Sequence, residues 1–211
     1  MSKTRIFIET GNKKTPEHNF IHYLLRTIFG DSFTTDVEII NVGGKDNLKN
    51  AANQFAENTN EGGKNLLIFD SDFTGIDNGG YEARKKFLEA KRLELKIEFE
   101  MFLFPNNKDD GEFETLLDKI VNKDLHQGYF NCFEAYENCI KSHTDDNGVQ
   151  KYNTPNLKGK LHTLMTSVKL SKEERDVLGS GQWLFDNKDY WDLDHVELDP
   201  LKEFIRNNMA K

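Results

Sequence analysis

The sequence predicts an α/β protein: a four-stranded parallel sheet flanked by helices, in the order 2-1-3-4 if the first and third strands are neighbours, with a helical C-terminal extension. Three observations predict it. Short β-type runs alternate with segments of helical period over about the first hundred residues, giving βαβαβαβ, an order that folds as a parallel sheet with right-handed crossovers. One run, Leu66 to Phe69, is apolar at every position, as strands are when both sheet faces are covered. Beyond Pro105 the pattern turns to helix and loop.

The elements follow in order. Arg5 to Thr10 is the first strand. Thr15-Pro16-Glu17 reads as N-cap, first-position proline and first-turn acid. Phe20, Ile21, Leu24, Leu25 and Ile28 then share a helix face, closed by Gly30. Val37 to Val42 is the second strand; it runs into Gly43-Gly44 and a helix carrying Leu48, Ala51, Ala52, Phe55 and Ala56 at helical spacing. Leu66 to Phe69 is the third strand, followed by a glycine-rich loop (Phe73 to Gly80) and a charged helix (Tyr81 to Leu93). Ile97 to Phe104 is the fourth, stopped by Pro105. Downstream, Phe113 to Val121, Tyr129 to Ile140, Leu161 to Val168 and Leu201 to Ile205 show amphipathic helical spacing, and Thr144 to Asn156 reads as an exposed loop. Residues 171–199 read as irregular, anchored in the core by Trp183, Phe185, Tyr190 and Trp191. The expected division is an α/β domain over 1–107 and a helical extension over 108–211 packed on the same core.

Composition excludes several classes. The 211 residues carry 28 basic and 36 acidic side chains, a net charge of -8, so overall attraction to nucleic acid is not expected. Carboxylates that hold a cation would contribute to that charge. The longest apolar runs are four residues, far below the roughly 18–20 of a membrane helix. Ile6-Phe7-Ile8 is too short for a secretory leader. The expectation is a cytoplasmic protein with no membrane partner. Cys132 and Cys139 stand two helical turns apart, about 10.5 Å, too far for a disulfide, and read as reduced, partly buried thiols.

Ligands of open α/β sheets bind beyond the C-terminal ends of strands, where the strand order reverses. The first strand delivers Glu9 there, and the third delivers Asp70-Ser71-Asp72. Past the fourth come Asp110, Glu112 and Glu114, where Asp110 is equally a helix cap and the two glutamates equally first-turn acids. Crowded carboxylates stay ionised only beside a cation, and an all-oxygen ligand set suits Mg²⁺ or Mn²⁺. Gly43 and Gly44 suggest backbone donors to a phosphate, with Lys13 and Lys45 nearby, although a plain turn is the commoner use. His18 and His22 lie one turn apart without a fitting carboxylate.

Glu9 at the first strand end, Gly43-Gly44 after the second strand and Ile68-Phe69-Asp70-Ser71-Asp72 after the third resemble a TOPRIM domain, a Rossmannoid fold of topoisomerases, primases and OLD-family nucleases. Phe104-Pro105-Asn106-Asn107, Asp110 to Glu114 and Trp191 to Phe204 extend the likeness to small bacterial TOPRIM-like proteins. The resemblance implies Glu9 as general acid or base and Asp70 and Asp72 as holders of Mg²⁺, with Glu112 or Glu114 completing a second metal site. It departs from the family at Thr10, which stands where glycine usually follows the glutamate, and at Thr74, where the topoisomerase form has an acid. The implied function is Mg²⁺-dependent phosphodiester cleavage, a nuclease on DNA or RNA. The alternative is a non-catalytic metal- or nucleotide-binding or protein-interaction module, in phage defence, acting as a homodimer or with a partner ATPase.

Overall fold

The computed structural model describes residues 3–75 and 77–209; residue 76, inside the expected glycine-rich loop, lies outside them. Its four strands, β1 (Thr4–Ile8), β2 (Val37–Asn41), β3 (Lys64–Asp70) and β4 (Glu100–Phe104), are all parallel, in the order β2-β1-β3-β4. The strand alternation builds two apolar layers. Ile6, Ile8, Leu66, Ile68, Phe102 and Phe104 face one side, and Phe7, Leu67, Phe69 and Leu103 the other. That is why β3 is apolar without interruption.

The first side is covered by α1 (Pro16–Phe29), α4 (Phe113–Ile120), α6 (Leu157–Ser167) and α8 (Asp199–Asn207). Trp183, Phe185, Tyr190 and Trp191 belong to the same buried cluster. The second side is covered by α2 (Leu48–Asn60) and α3 (Tyr81–Leu95), with the Phe55 ring stacked on Phe7 at 3.6 Å. The chain beyond Pro105 thus shares its core with β1, β3 and α1. No helix among the described residues is long and apolar enough to cross a membrane.

Local chemistry starts and stops the elements. Thr15 Oγ1 accepts from His18 N–H at the start of α1, with Pro16 in the first turn, and the Gly30 N–H closes its end on the Arg26 carbonyl. Strand β4 is shorter than the apolar run suggests: Ile97 and Phe99 are buried before pairing with β3 begins at Glu100. Three expectations need correction. A helix, α7 (Lys172–Gly179), lies inside the segment read as irregular, started by a capping box between Ser171 and Glu174. Asp110 does not cap α4; its carboxylate accepts from Tyr81 N–H (2.7 Å) and Thr74 Oγ1 (2.6 Å) and so starts α3. Cys132 and Cys139 are free but exposed, because α5 (Gln127–Lys141) buries only Phe133.

Candidate active site

The site is built where β1 and β3 end. β1 sits between β2 and β3, so the strand order reverses there, and that is the edge at which ligands of open α/β sheets bind. The turn after β2 folds back on the exit of β1. Gly44 N–H donates to the Glu9 carbonyl (2.6 Å) and Gly43 N–H to the Thr10 carbonyl (3.1 Å). Both glycines have positive φ, +82° and +106°, which side-chain-bearing residues seldom adopt. Their N–H groups are therefore spent on β1. The expectation that Gly43 and Gly44 cradle a phosphate is corrected; the turn instead presents the Lys45 N–H to the Glu9 carboxylate. Lys13 is exposed and Lys45 half-buried beside this turn.

Glu9 is fixed from two strands, since the Asp70 N–H donates to its Oε2 (3.2 Å). Burial raises its pKa, opposed by that N–H and the nearby Arg84 charge and reinforced by Asp72. The Asp70 carboxylate is buried and accepts from Phe113 N–H (2.7 Å), the first N–H of α4. Burial raises its pKa well above the usual range, as do the charges of Glu17, Glu9 and Glu114, while the helix N–H works against them.

Glu17, in the first turn of α1, joins this cluster, and sequence reasoning assigned it only to the helix dipole. The residue as a whole is partly exposed, yet its Oε1 touches no solvent and has no hydrogen-bond partner. The Glu9 backbone N–H faces its carboxyl, whose pKa is pushed up to about 8 by burial, then by Glu9. Glu114 is buried at the start of α4 and pairs with Lys158 Nζ (2.8 Å) from α6. Burial opposes the Lys158 charge, but the Glu114 carboxylate, with Asp70 and Glu17, holds that ammonium above its ordinary pKa. Glu112, the half-buried N-cap of α4, is raised by burial and by Glu114 and Asp72.

Asp72 is placed differently from Asp70. It has φ +58° and an isolated bridge to Gly111, and its carboxylate pairs with Arg84 of α3. Ser71, between the two acids, is structural: its hydroxyl donates to the Gly111 carbonyl (2.9 Å) and accepts from the Gly111 N–H (2.8 Å), tying β3 to the loop before α4.

The structure thus brings Glu9, Asp70, Asp72, Glu112 and Glu114 into one electrostatic neighbourhood and adds Glu17, Arg84 and Lys158. Among the described residues, no three His, Cys, Asp or Glu side chains converge as a ready metal cage. The donor chemistry nonetheless fits a hard divalent cation: all candidates are carboxylate oxygens, and one buried oxygen, Glu17 Oε1, lacks a partner. His18 takes no part, its Nδ1 lying 3.0 Å from Asn41 Oδ1 on the β2 side. A cavity of about 730 Å³ between the last turns of α1 and α4, lined by Tyr23, Lys123 and Trp191 among others, shares no residue with this cluster. Comparison of the chain with family models, curated proteins and solved structures finds no match.

Proposed function

We propose that this protein is a divalent-metal-dependent phosphodiesterase of the TOPRIM kind, cleaving DNA or RNA at the β1–β3 edge. One observation carries the reading: Glu9, Glu17, Asp70 and Glu114 are crowded at the switch point, burial drives up the pKa values of the first three, and the Glu9 charge adds to the rise at both Glu17 and Asp70. Of the four, Glu114 is paired with Lys158, while among the described residues the other three have no ion pair; keeping buried carboxylates together in that way is expensive, and a divalent cation relieves it. Asp70, with Asp72 and Glu112 or Glu114, would hold Mg²⁺ or Mn²⁺. Such an ion, when bound, supplies positive charge at the phosphoryl oxygens and lowers the pKa of water.

The chain's own residues supply the rest. Glu9 is held by the Asp70 N–H at the β1–β3 edge, and a carboxyl of raised pKa there suits proton transfer to or from water or the leaving oxygen. Lys13 and Lys45 stand on the β2 side, where a nucleic-acid backbone would run, and neutralise phosphate charge without reading sequence. The first N–H of α4 fixes Asp70 in rotation.

The engagement of Asp72 by Arg84 favours a second reading, a metal-binding module without catalysis that works with a separate ATPase or a second copy. One experiment separates the two. Mn²⁺ is titrated by calorimetry into the wild type, Asp70→Asn and Glu9→Gln, and each is assayed on single- and double-stranded DNA and RNA. The nuclease reading expects Mn²⁺ binding lost in Asp70→Asn, and cleavage lost in Glu9→Gln with Mn²⁺ still bound. Binding without cleavage of any substrate by the wild type supports the module. No binding and no cleavage refutes both.

A further inference from the structure

Arg84 is the least satisfied charged group in the described fold. Its side chain is completely buried, on α3. Only Nη2 has a partner, the Asp72 carboxylate; Nε and Nη1 are buried without one. A buried guanidinium normally spends its five N–H donors on several acceptors. Here one largely shielded carboxylate, 22% exposed, is its one hydrogen-bonded side-chain partner among the described residues. That same carboxylate is expected to bind the cation, and it sits close enough to Glu9 and Glu112 to raise both.

We propose that Arg84 is an internal cation that competes with the divalent ion for Asp72, so that the Asp72–Arg84 pair is the latched state of the site and metal binding requires its release. This rests on the metal-dependent reading of the site given above. The geometry favours release over a fixed brace for two reasons. A single-point anchorage lets the guanidinium leave without breaking a network. The Glu9 carboxylate lies within electrostatic reach of Arg84 and offers a second anion to take it. The site then needs no outside regulator to stay closed to weakly held ions.

The test uses Mn²⁺ calorimetry on the full chain, comparing wild type, Arg84→Met and Arg84→Lys. Arg84→Met removes the competitor and keeps an apolar stem in the buried slot, so it should bind Mn²⁺ at least about tenfold more tightly, a modest figure for removing a like charge beside an ion in a half-buried site. Arg84→Lys retains the charge and should stay within about threefold of wild type. Wild-type binding with no gain, or a loss, in Arg84→Met overturns the inference alone and makes Arg84 a brace for Asp72. A gain confined to Arg84→Met, with a silent wild type, supports the latch. Silence in all three overturns both this inference and the metal-dependent reading. If Arg84→Met does not fold, the wild type decides by nuclear magnetic resonance: the Arg84 Nε–H signal should move in step with Mg²⁺ saturation, and an unmoved signal at saturation overturns the latch.

Discussion

Glu17 gives the sharpest quantitative handle on the cluster. Its pKa is pushed from 4.5 to about 8 by burial, then by Glu9. Between those values the unfolded chain has released the proton while the folded chain keeps it. Folding therefore takes up a proton, and stability falls as pH rises through that window, levelling off above about pH 8. Glu17→Gln mimics the protonated form and removes this dependence. Each pH unit is worth about 1.4 kcal/mol well below the folded pKa and half that at it, so from pH 6 to 8 the wild type should lose about 2 kcal/mol more than the variant. With a urea slope of about 2–3 kcal/mol/M, that is a relative midpoint shift of about 1 M. The assay is urea unfolding of both proteins from pH 6 to 9, at constant ionic strength with chelator present. Saturating Mg²⁺ should shrink the difference, because a cation takes over the proton's role. Parallel curves across the whole pH range would refute the reasoning, since Glu17 would then be ionised, or solvated, throughout.

Two further outcomes follow from the same geometry. Asp70→Asn keeps an oxygen for the Phe113 N–H and fixes the neutral form that burial and the Glu17, Glu9 and Glu114 charges favour, so in chelator its Tm should fall less than the wild type's as pH rises, by about 3 °C for each kcal/mol relieved; a pH dependence equal to the wild type's would contradict the crowding argument. Cys132 and Cys139 are both exposed, so a thiol reagent should label both in the native protein within minutes, and protection of either until denaturant is added would show that face of α5 to be covered.

The scaffold was legible because its signals are local. The uninterrupted Leu66–Phe69 run, the Thr15-Pro16 start of α1 and the β–α alternation need only short windows of sequence, whereas right-handed connections allow more than one strand order, so β2-β1-β3-β4 was legible only as the condition that β1 and β3 are neighbours. Asp70 was legible for the same reason, as the first polar residue after a buried strand. Helix α7 was also written locally, in the Ser171–Glu174 capping box, but only Val177 and Leu178 touch the core, so its apolar period is faint. The exposed cysteines were missed because α5 has the helical period of a buried helix while only Phe133 is covered. What sequence could not show is pairing across elements. Arg84 sits on a helix rich in Lys, Glu and Arg, where nothing marks the one cation that turns inward. Lys158 reaches Glu114 from α6, a contact that exists only once the extension folds back over α1 and α4.

The placement of those two cations argues against a purely structural network. Arg84 and Lys158 are spent on Asp72 and Glu114. Among the described residues neither Glu9, Glu17 nor Asp70 forms an ion pair, although these are the acids with burial as the first cause of their raised pKa and with one another as neighbours. A fold that needed only to neutralise its buried acids would set its cations against those, where an uncompensated charge costs most. Instead the compensation lies to either side and the deficit is left at the centre, over the edge where β1 and β3 part. That uncompensated centre is framed by backbone N–H groups of Glu9, Asp70 and Phe113, and the proton that Glu17 keeps up to about pH 8 relieves it in part, as a divalent ion would under the proposed reading.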